Sequence, residues 1–499
     1  MARVTMSTGG LVFGNGADFE DERERAPSSD SGQPLHMILM GDYSGRGSRG
    51  VLDLSSLGER PLREVNRDNL DEVFSALKVQ LALPGCATPL GFELPDDLHP
   101  DTLYTRMPLF ARLRELKAQL ANPLQFEQAA AEIARMQSAT DASDTAAVAI
   151  PADLFERKSG RLPEGEQDVS ALIAQIVAPF VEPKADPRQS ELMNTLDLAA
   201  SDALRGLLHT GFFQRLEANW RSLELLVRRL ETGRNLKLFL LDVSEAEVRA
   251  DFAASNDITQ SALYQRLVTS FQVPGATPYS VLVSDITLTD NPADVRVAAG
   301  LSALAVYGDA IALVSGHERI AGCASLAATP DVEDWAHPVD EEFAKLWAVL
   351  RNEPQSDSLL VAAPRFLVRL PYGERTSPIE SFDFDELGPG DNHRHYLWGA
   401  GAVLAALLIG QSFNRNFWDF STGLVTRVPD LALHVYRDAL GDTQITPAAE
   451  IYMTDATASA LRQAGLCPLR SVKGEAAVLM PSFASLSAAG HPVLAVISA

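Results

Sequence analysis

Few residues in this chain stand in patterns that chemistry would need. The most suggestive is Gly41-Asp-Tyr-Ser-Gly-Arg-Gly47, glycine-rich and adjacent to a strand candidate, where backbone amides could cradle a phosphate. The frame is wrong for that task. No Lys-Ser/Thr pair follows the last glycine, and the glycine spacing fits neither the P-loop nor the dinucleotide fingerprint. Ser44 lacks the Gly-x-Ser-x-Gly frame of a nucleophile elbow, so the segment reads as a flexible turn. His393 and His395 lie two apart in Asp391-Asn-His-Arg-His395. A closed zinc site needs four ligands and a catalytic one at least three, and no third ligand is near, so this reads as a polar loop leading into a helix at Trp398. No catalytic residue, metal or cofactor is expected.

Arg365 and Arg369 alternate with Phe366, Val368 and Leu370. A period of two puts both guanidinium groups on one face of a strand. They serve either as ion pairs at a sheet surface or, with Tyr372, as a subunit interface meeting carboxylates on a neighbour, because Arg pairs with carboxylates directionally.

Composition narrows the classes. The 499 residues carry 66 acidic against 42 basic side chains, a net charge of −24 that repels phosphate backbones, so nucleic acid is not an expected partner. Hydrophobic residues make up 46%, enough to build real cores over roughly three domain-sized units. The first residues lack the basic-then-apolar pattern of a signal peptide. The longest apolar stretch, Trp398 to Gly410, has 13 residues, short of the roughly 20 needed to span a bilayer. Cys86, Cys323 and Cys467 are too dispersed for a disulfide framework or a Cys-x-x-Cys site. A cytoplasmic, reduced protein is expected.

The elements that must position these residues follow from pattern. Leu35 to Met40 is a strand candidate, with helices at Asn69 to Val79, capped by Asp68, and at Pro108 to Gln119. Leu204, Leu207, Leu208, Phe212, Leu216, Trp220, Leu223, Val227 and Leu230 recur at helical steps and form one apolar stripe, which makes Leu216 and Trp220 core candidates; Trp398 is a third. Strands at Lys237 to Val243, Ser280 to Ser284 and Ala310 to Val314 alternate with a capped helix at Ser244-Glu-Ala-Glu247 and a helix from Asn291-Pro292 to Tyr307, ended by Gly308. Such alternation predicts an α/β fold with right-handed crossovers on a largely parallel sheet. Later strands are expected at Phe366 to Leu370 and near Ile451. Residues 1–33, rich in Gly, Ser, Asp and Glu with few apolar positions after Phe19, read as a disordered tail, and the Ser/Thr/Ala/Asp/Gly-rich stretch 138–168 as a linker.

Several segments carry a resemblance. Pro364-Arg-Phe-Leu-Val-Arg-Leu-Pro-Tyr-Gly373, Ser377-Pro-Ile-Glu-Ser-Phe-Asp-Phe384 and Tyr396-Leu-Trp-Gly399 are joined by Leu207-Leu-His-Thr-Gly-Phe-Phe-Gln-Arg-Leu-Glu-Ala-Asn-Trp-Arg221, Thr232 to Val243, Thr446 to Asp455, Leu461 to Leu469 and Val472-Lys-Gly474. Together, in order, they resemble the large subunit of the type VI secretion contractile sheath, a relative of phage tail sheaths. Met37-Ile-Leu-Met-Gly-Asp-Tyr-Ser-Gly45, Val65 to Phe74 and Leu109 to Leu116 are similar to the sheath small subunit. The resemblance implies a fusion: a small-subunit-like domain at 34–137 and a large-subunit-like domain at 169–499, two interlocked units around a sheath-type mixed sheet with packed amphipathic helices.

It also implies a structural role without catalysis, with subunits stacking around an inner tube and contraction driven by rearranged contacts. Partners would be other sheath subunits or further copies of the chain, with tube and baseplate proteins and an ATP-driven unfoldase. The family's large subunit continues past the Lys-Gly turn into a strand-donating arm, whereas here 25 residues follow Gly474. A sheath-derived accessory protein that caps or initiates assembly is therefore the alternative, and an enzyme with a site assembled from distant residues is a third.

Overall fold

The computed structural model describes residues 5–7, 10–12, 33–83, 88–141, 186–272, 276–388, 393–437 and 441–498. Its centre is a seven-stranded sheet. In chain order the strands are β1 (Leu35–Gly41), β2 (Arg63–Val65), β3 (Leu236–Asp242), β4 (Val281–Leu288), β5 (Ile311–Gly316), β6 (Leu359–Ala363) and β7 (Cys467–Pro468), and they lie in the order β7-β6-β5-β4-β1-β3-β2. All neighbours run parallel except β2, which pairs antiparallel with β3 at the edge. The sheet is thus mixed and the fold α/β.

The earliest of these seven strands in the chain stands in the interior of the sheet. Leu35 to Gly41 pair in unbroken register with Leu236 to Asp242 on one side, and Met37 to Met40 pair with Val281 to Ser284 on the other. Its sequence suits that place, because a parallel strand covered on both faces needs apolar residues at both parities. Leu35, Met37 and Leu39 enter one core, Ile38 and Met40 the other.

Each core is closed by helices. The first packs under α5 (Gln189–Leu208), α6 (Gly211–Arg229) and α11 (Gly401–Asn416), and it also takes in α1 (Leu70–Leu77), α2 (Pro100–Arg106), α3 (Ala111–Ala121) and α4 (Phe126–Asp141) from the N-terminal segment. The second packs under α7 (Glu245–Ala254), α8 (Ala262–Leu267), α9 (Pro292–Tyr307) and α10 (Glu341–Arg351). Asn291 caps α9 by accepting from the Ala293 amide at 2.9 Å, and Ser244 caps α7 with Glu247 reciprocating. Among the described residues no helix is long and apolar enough to cross a membrane.

Several expectations need correction. The stripe from 204 to 230 is two helices, broken at His209-Thr210. The break resets the phase, so Phe212 is 50% exposed and Phe213 takes the buried place. The strand at Phe366 is only Phe366–Leu367, pairs with Trp398–Gly399 and lies outside the main sheet. Trp398 therefore precedes α11 instead of opening it, and it is half-buried. Ile451 lies in no strand; the later main-sheet strands are β6 and β7. α1 starts after Asn69, not Asp68, and Pro108 opens a short 3-10 turn before α3. In the stretch expected as a tail, Thr5–Ser7 pairs with Gly10–Val12; α4 reaches Asp141, and the remainder of the expected tail and linker lies outside the described residues, as does Cys86. Cys323 and Cys467 are buried free thiols.

Candidate functional site

Where β1 ends, Asp42 of the turn itself and two aspartates from neighbouring strands hold the chain as it turns away. Asp242, at the end of β3, accepts the Tyr43 and Ser44 amides at 3.0 and 2.9 Å and the Ser44 hydroxyl at 2.7 Å. Burial raises its pKa, with the Ser44 bonds pulling the other way. Asp42 accepts the Arg46 and Gly47 amides, each at 2.7 Å, and closes the turn on itself. Asp285, on β4, accepts from the Asp42 amide at 3.2 Å and from Asn219 of α6 at 2.8 Å. Burial pushes its carboxyl up to about 6, against the pull of Arg215 and Asn219.

The glycines of this turn have steric reasons. A Cβ on Gly41 would stand 2.9 Å from the Asp285 carboxyl, and Gly45, at φ +78°, faces the Gln80 carbonyl too closely for any side chain. Residues 41–45 are buried, so the expected flexible turn is a fixed one, pinned through Asp242.

Two arginines of the N-terminal segment converge on one carboxylate of α7. Arg46 reaches Glu247 at 3.0 and 2.7 Å, and Arg60 reaches it at 3.1 and 3.0 Å. Glu247 also accepts the Asp53 and Ser244 amides at 3.1 and 2.9 Å. Burial alone would raise its pKa; the Arg46 and Arg60 hydrogen bonds outweigh it and hold the carboxyl down at about 2. The indole of Trp220 adds a neutral tie, donating to the Tyr43 carbonyl at 2.8 Å while the Tyr43 ring meets it in a T-shaped contact and the Phe74 ring in a tilted one. Leu216 and Trp220, the core candidates on α6, are 1% and 2% exposed.

A second hub surrounds Arg369. Its guanidinium meets Glu217 of α6 at 2.7 and 3.1 Å and Glu386 at 2.7 and 2.9 Å. Arg221 pairs with the same Glu217 at 2.7 Å and donates to the Tyr372 hydroxyl at 3.0 Å. The Tyr372 ring lies 4.1 Å beneath Arg369, and its amide donates to Glu386 at 2.7 Å. Burial raises the Glu217 pKa, and Arg369 and Arg221 more than reverse it. The N-terminal segment joins here as well. His99 packs edge-on against Tyr372, Tyr104 against Phe382, and the Asp101 carboxylate accepts the Glu380 and Ser381 amides at 3.0 and 2.9 Å.

Of the two readings of these arginines, ion pairs at a sheet surface or an interface with a neighbouring subunit, both guanidinium groups are found paired with carboxylates of their own chain. Arg369 is 11% exposed, leaving little guanidinium for a neighbour. Arg365 pairs instead with Glu450 and lies over the Trp398 ring at 5.6 Å. The two do not act as a pair, because the strand that would align them ends at Leu367. His393 also contacts Glu450, at 3.3 Å, while His395 stacks on His209. Reasoning from sequence missed Glu217, Glu247, Asp242, Asp285 and Glu386. Only Glu247 carries a local signal, the capping box, and that reports the cap and not the arginines.

The arrangement holds segments together through closed polar networks, in which the Ser44 hydroxyl is bonded to Asp242 and Arg60 and Arg369 to carboxylates of the same chain. A family model described as VipB, "EvpB/VC_A0108, tail sheath N-terminal domain", matches residues 190–487, more than half of the chain. A second, "Type VI secretion system, VipA, VC_A0107 or Hcp2", matches residues 28–140. The type VI secretion system sheath protein TssC1 of Pseudomonas aeruginosa is 27% identical over 284 residues, which is 56% of this chain and 57% of that protein. The chain thus spans little more than half the length of this curated relative.

Proposed function

The chain belongs to the VipB tail sheath family, and we propose that it is a structural building block of a type VI secretion contractile sheath, acting through subunit contacts and not through catalysis. One observation carries the reading: the segment matched by the small-subunit family supplies β1 to the interior of a sheet whose flanking strands belong to the segment matched by the large-subunit family. One chain then delivers, as a single body, what the two families otherwise provide as separate subunits. The natural division is a small-subunit-like unit over 34–137 and a large-subunit-like unit over 169–499, joined by a connecting stretch.

The partners that follow are further copies of this chain or other sheath subunits, an inner tube that the sheath encloses, a baseplate on which it starts and an ATP-driven unfoldase that recycles it. The protein would work in the cytoplasm. Arg365, with its side chain 41% exposed beside Glu450, is the one of the three expected interface residues with surface to offer a neighbouring subunit.

Negative-stain imaging of the purified chain, alone and mixed with the organism's other sheath subunits, tests the proposal. Regular hollow tubes in either sample are the expected result. Discrete particles in both would overturn it and favour an accessory that caps or regulates assembly.

A further inference from the structure

At the amino end of β1, on the second core's side of the sheet, lies a cavity of about 310 Å³ that the sheath reading leaves without a role. That volume is at the lower end of the range for small-molecule sites. Ile38, Phe239, Phe271 and Tyr279 give it apolar, largely aromatic walls, and His36 and Arg266 are its ionisable lining groups.

Both of those groups are incomplete. His36 is 8% exposed, its ring hydrogen-bonds the Thr277 backbone and packs edge-on against Phe239, yet its Nε2 has no partner. Burial lowers its pKa, so the ring is neutral and the free nitrogen awaits a hydrogen. Arg266 carries its Nε buried and unbonded, burial lowers its pKa, and it makes no salt bridge among the described residues. Buried polar groups are almost always paired, and an unpaired cation in an aromatic pocket is costly to maintain. Elsewhere in this molecule buried arginines such as Arg60 and Arg369 are matched by carboxylates.

We propose that this cavity is a binding site for a small aromatic acid, whose carboxylate pairs with Arg266, whose ring fills the space between Phe239, Phe271 and Tyr279, and whose hydroxyl donates to His36. The cation demands an anion, the walls demand an apolar body, and the bare imidazole nitrogen demands a donor. Inorganic phosphate satisfies the first of these demands and lacks the apolar body that the walls require.

Titration calorimetry on the full chain tests it with three probes: para-hydroxyphenylacetate, phenylacetate and tyramine. The expected order is para-hydroxyphenylacetate tightest, phenylacetate weaker for want of the hydroxyl, and tyramine without measurable binding because its ammonium faces Arg266. Arg266→Gln should weaken the acids about tenfold or more, the worth of a charge-assisted hydrogen bond. His36→Phe should erase the difference between the two acids. Thermal melts of each variant show that it folds, and in the parent chain para-hydroxyphenylacetate should raise the midpoint. Failure of both acids to bind, equal binding of tyramine, or full affinity in a folded Arg266→Gln variant would each overturn the proposal; if His36→Phe proves unfolded, Arg266→Gln and Arg266→Lys carry the test.

Discussion

Strand β1 passes between two kinds of surroundings. Its carboxyl end opens into a turn where the Asp42, Asp242 and Asp285 carboxylates all accept hydrogen bonds and the Arg46 and Arg60 guanidiniums are matched by Glu247. Its amino end borders a cavity where one imidazole nitrogen and one guanidinium nitrogen meet nothing. The same strand thus carries a fastener at one end and an open socket at the other. Closed polar networks add specificity to an interface without offering anything to a third party. Open ones in apolar surroundings are poised for a ligand.

The severest way to break the fastener is to divide the chain. Cleavage between residues 141 and 186 should leave both pieces co-eluting on size exclusion, because β1 is held on both edges. Residues 186–499 produced alone should be insoluble, since β3 and β4 would each expose an unpaired edge. Two folded pieces eluting separately would contradict the interlocked arrangement.

Next in size is Glu247→Ala, which leaves Arg46 and Arg60 facing each other without a carboxylate. Removing one partner of a buried ion pair costs about 3–5 kcal/mol, visible as a lower urea midpoint. Trp220→Ala should cost a similar 3–5 kcal/mol, roughly, through lost burial and a cavity.

Asp285 gives a smaller effect with a defined sign. Its folded pKa, about 6, stands above the ordinary 3.8, so between these values the native state binds the extra proton. Stability from this group is complete below pH 3.8 and is lost as pH rises through 6. Asp285→Asn, which can still accept from Asn219, should flatten that decline and gain on the order of 2 kcal/mol at pH 7. Glu247 works in the opposite window: held at about 2 against an ordinary 4.5, it contributes stability that disappears as pH falls from 4.5 towards 2. Denaturation midpoints across pH 2–8 in the parent and both variants separate the two.

Smallest of all should be Arg266→Gln at the socket. With no ion pair to lose, the substitution should leave the unfolding midpoint within about 0.5 kcal/mol of the parent, or raise it. A loss comparable to that of Glu247→Ala would mean that the two ends of β1 are not different in kind.

Much of the scaffold could be read from the chain alone, and the reasons are physical. β1, β3, β4 and β5 are apolar runs bounded by turn residues, and the α9 boundaries follow from Asn291-Pro292 and Gly308. β6 escaped because Leu359 to Ala363 run straight into Pro364-Arg-Phe, where the alternating segment was the more strand-like pattern. Pro364 lacks the amide a continuing ladder would need. β7 has two residues, too few for any periodicity. Phe212 was misplaced because a periodic count carries its phase across the break at His209-Thr210. The site was far less legible. Glu217 and Arg369 are separated by 152 positions and Asp242 and Ser44 by 198, and nothing local marks a carboxylate that will be claimed by a distant arginine. His36 and Arg266 line one cavity only because α8 packs against the sheet that holds β1.

That interleaving sets a schedule for synthesis. β1 leaves the ribosome some 200 residues before β3, its partner in the sheet. At about 5–20 residues per second it waits roughly 10–40 s with both edges unpaired. An apolar strand of the sequence Leu-His-Met-Ile-Leu-Met-Gly exposed for that long is a hazard for pairing with the same strand of another nascent chain. Two separate subunits would meet the same need by diffusion at whatever concentrations the cell supplies. Here the tether makes the meeting intramolecular, fixes the ratio of the two parts at one to one, and moves the risk from finding a partner to surviving the delay.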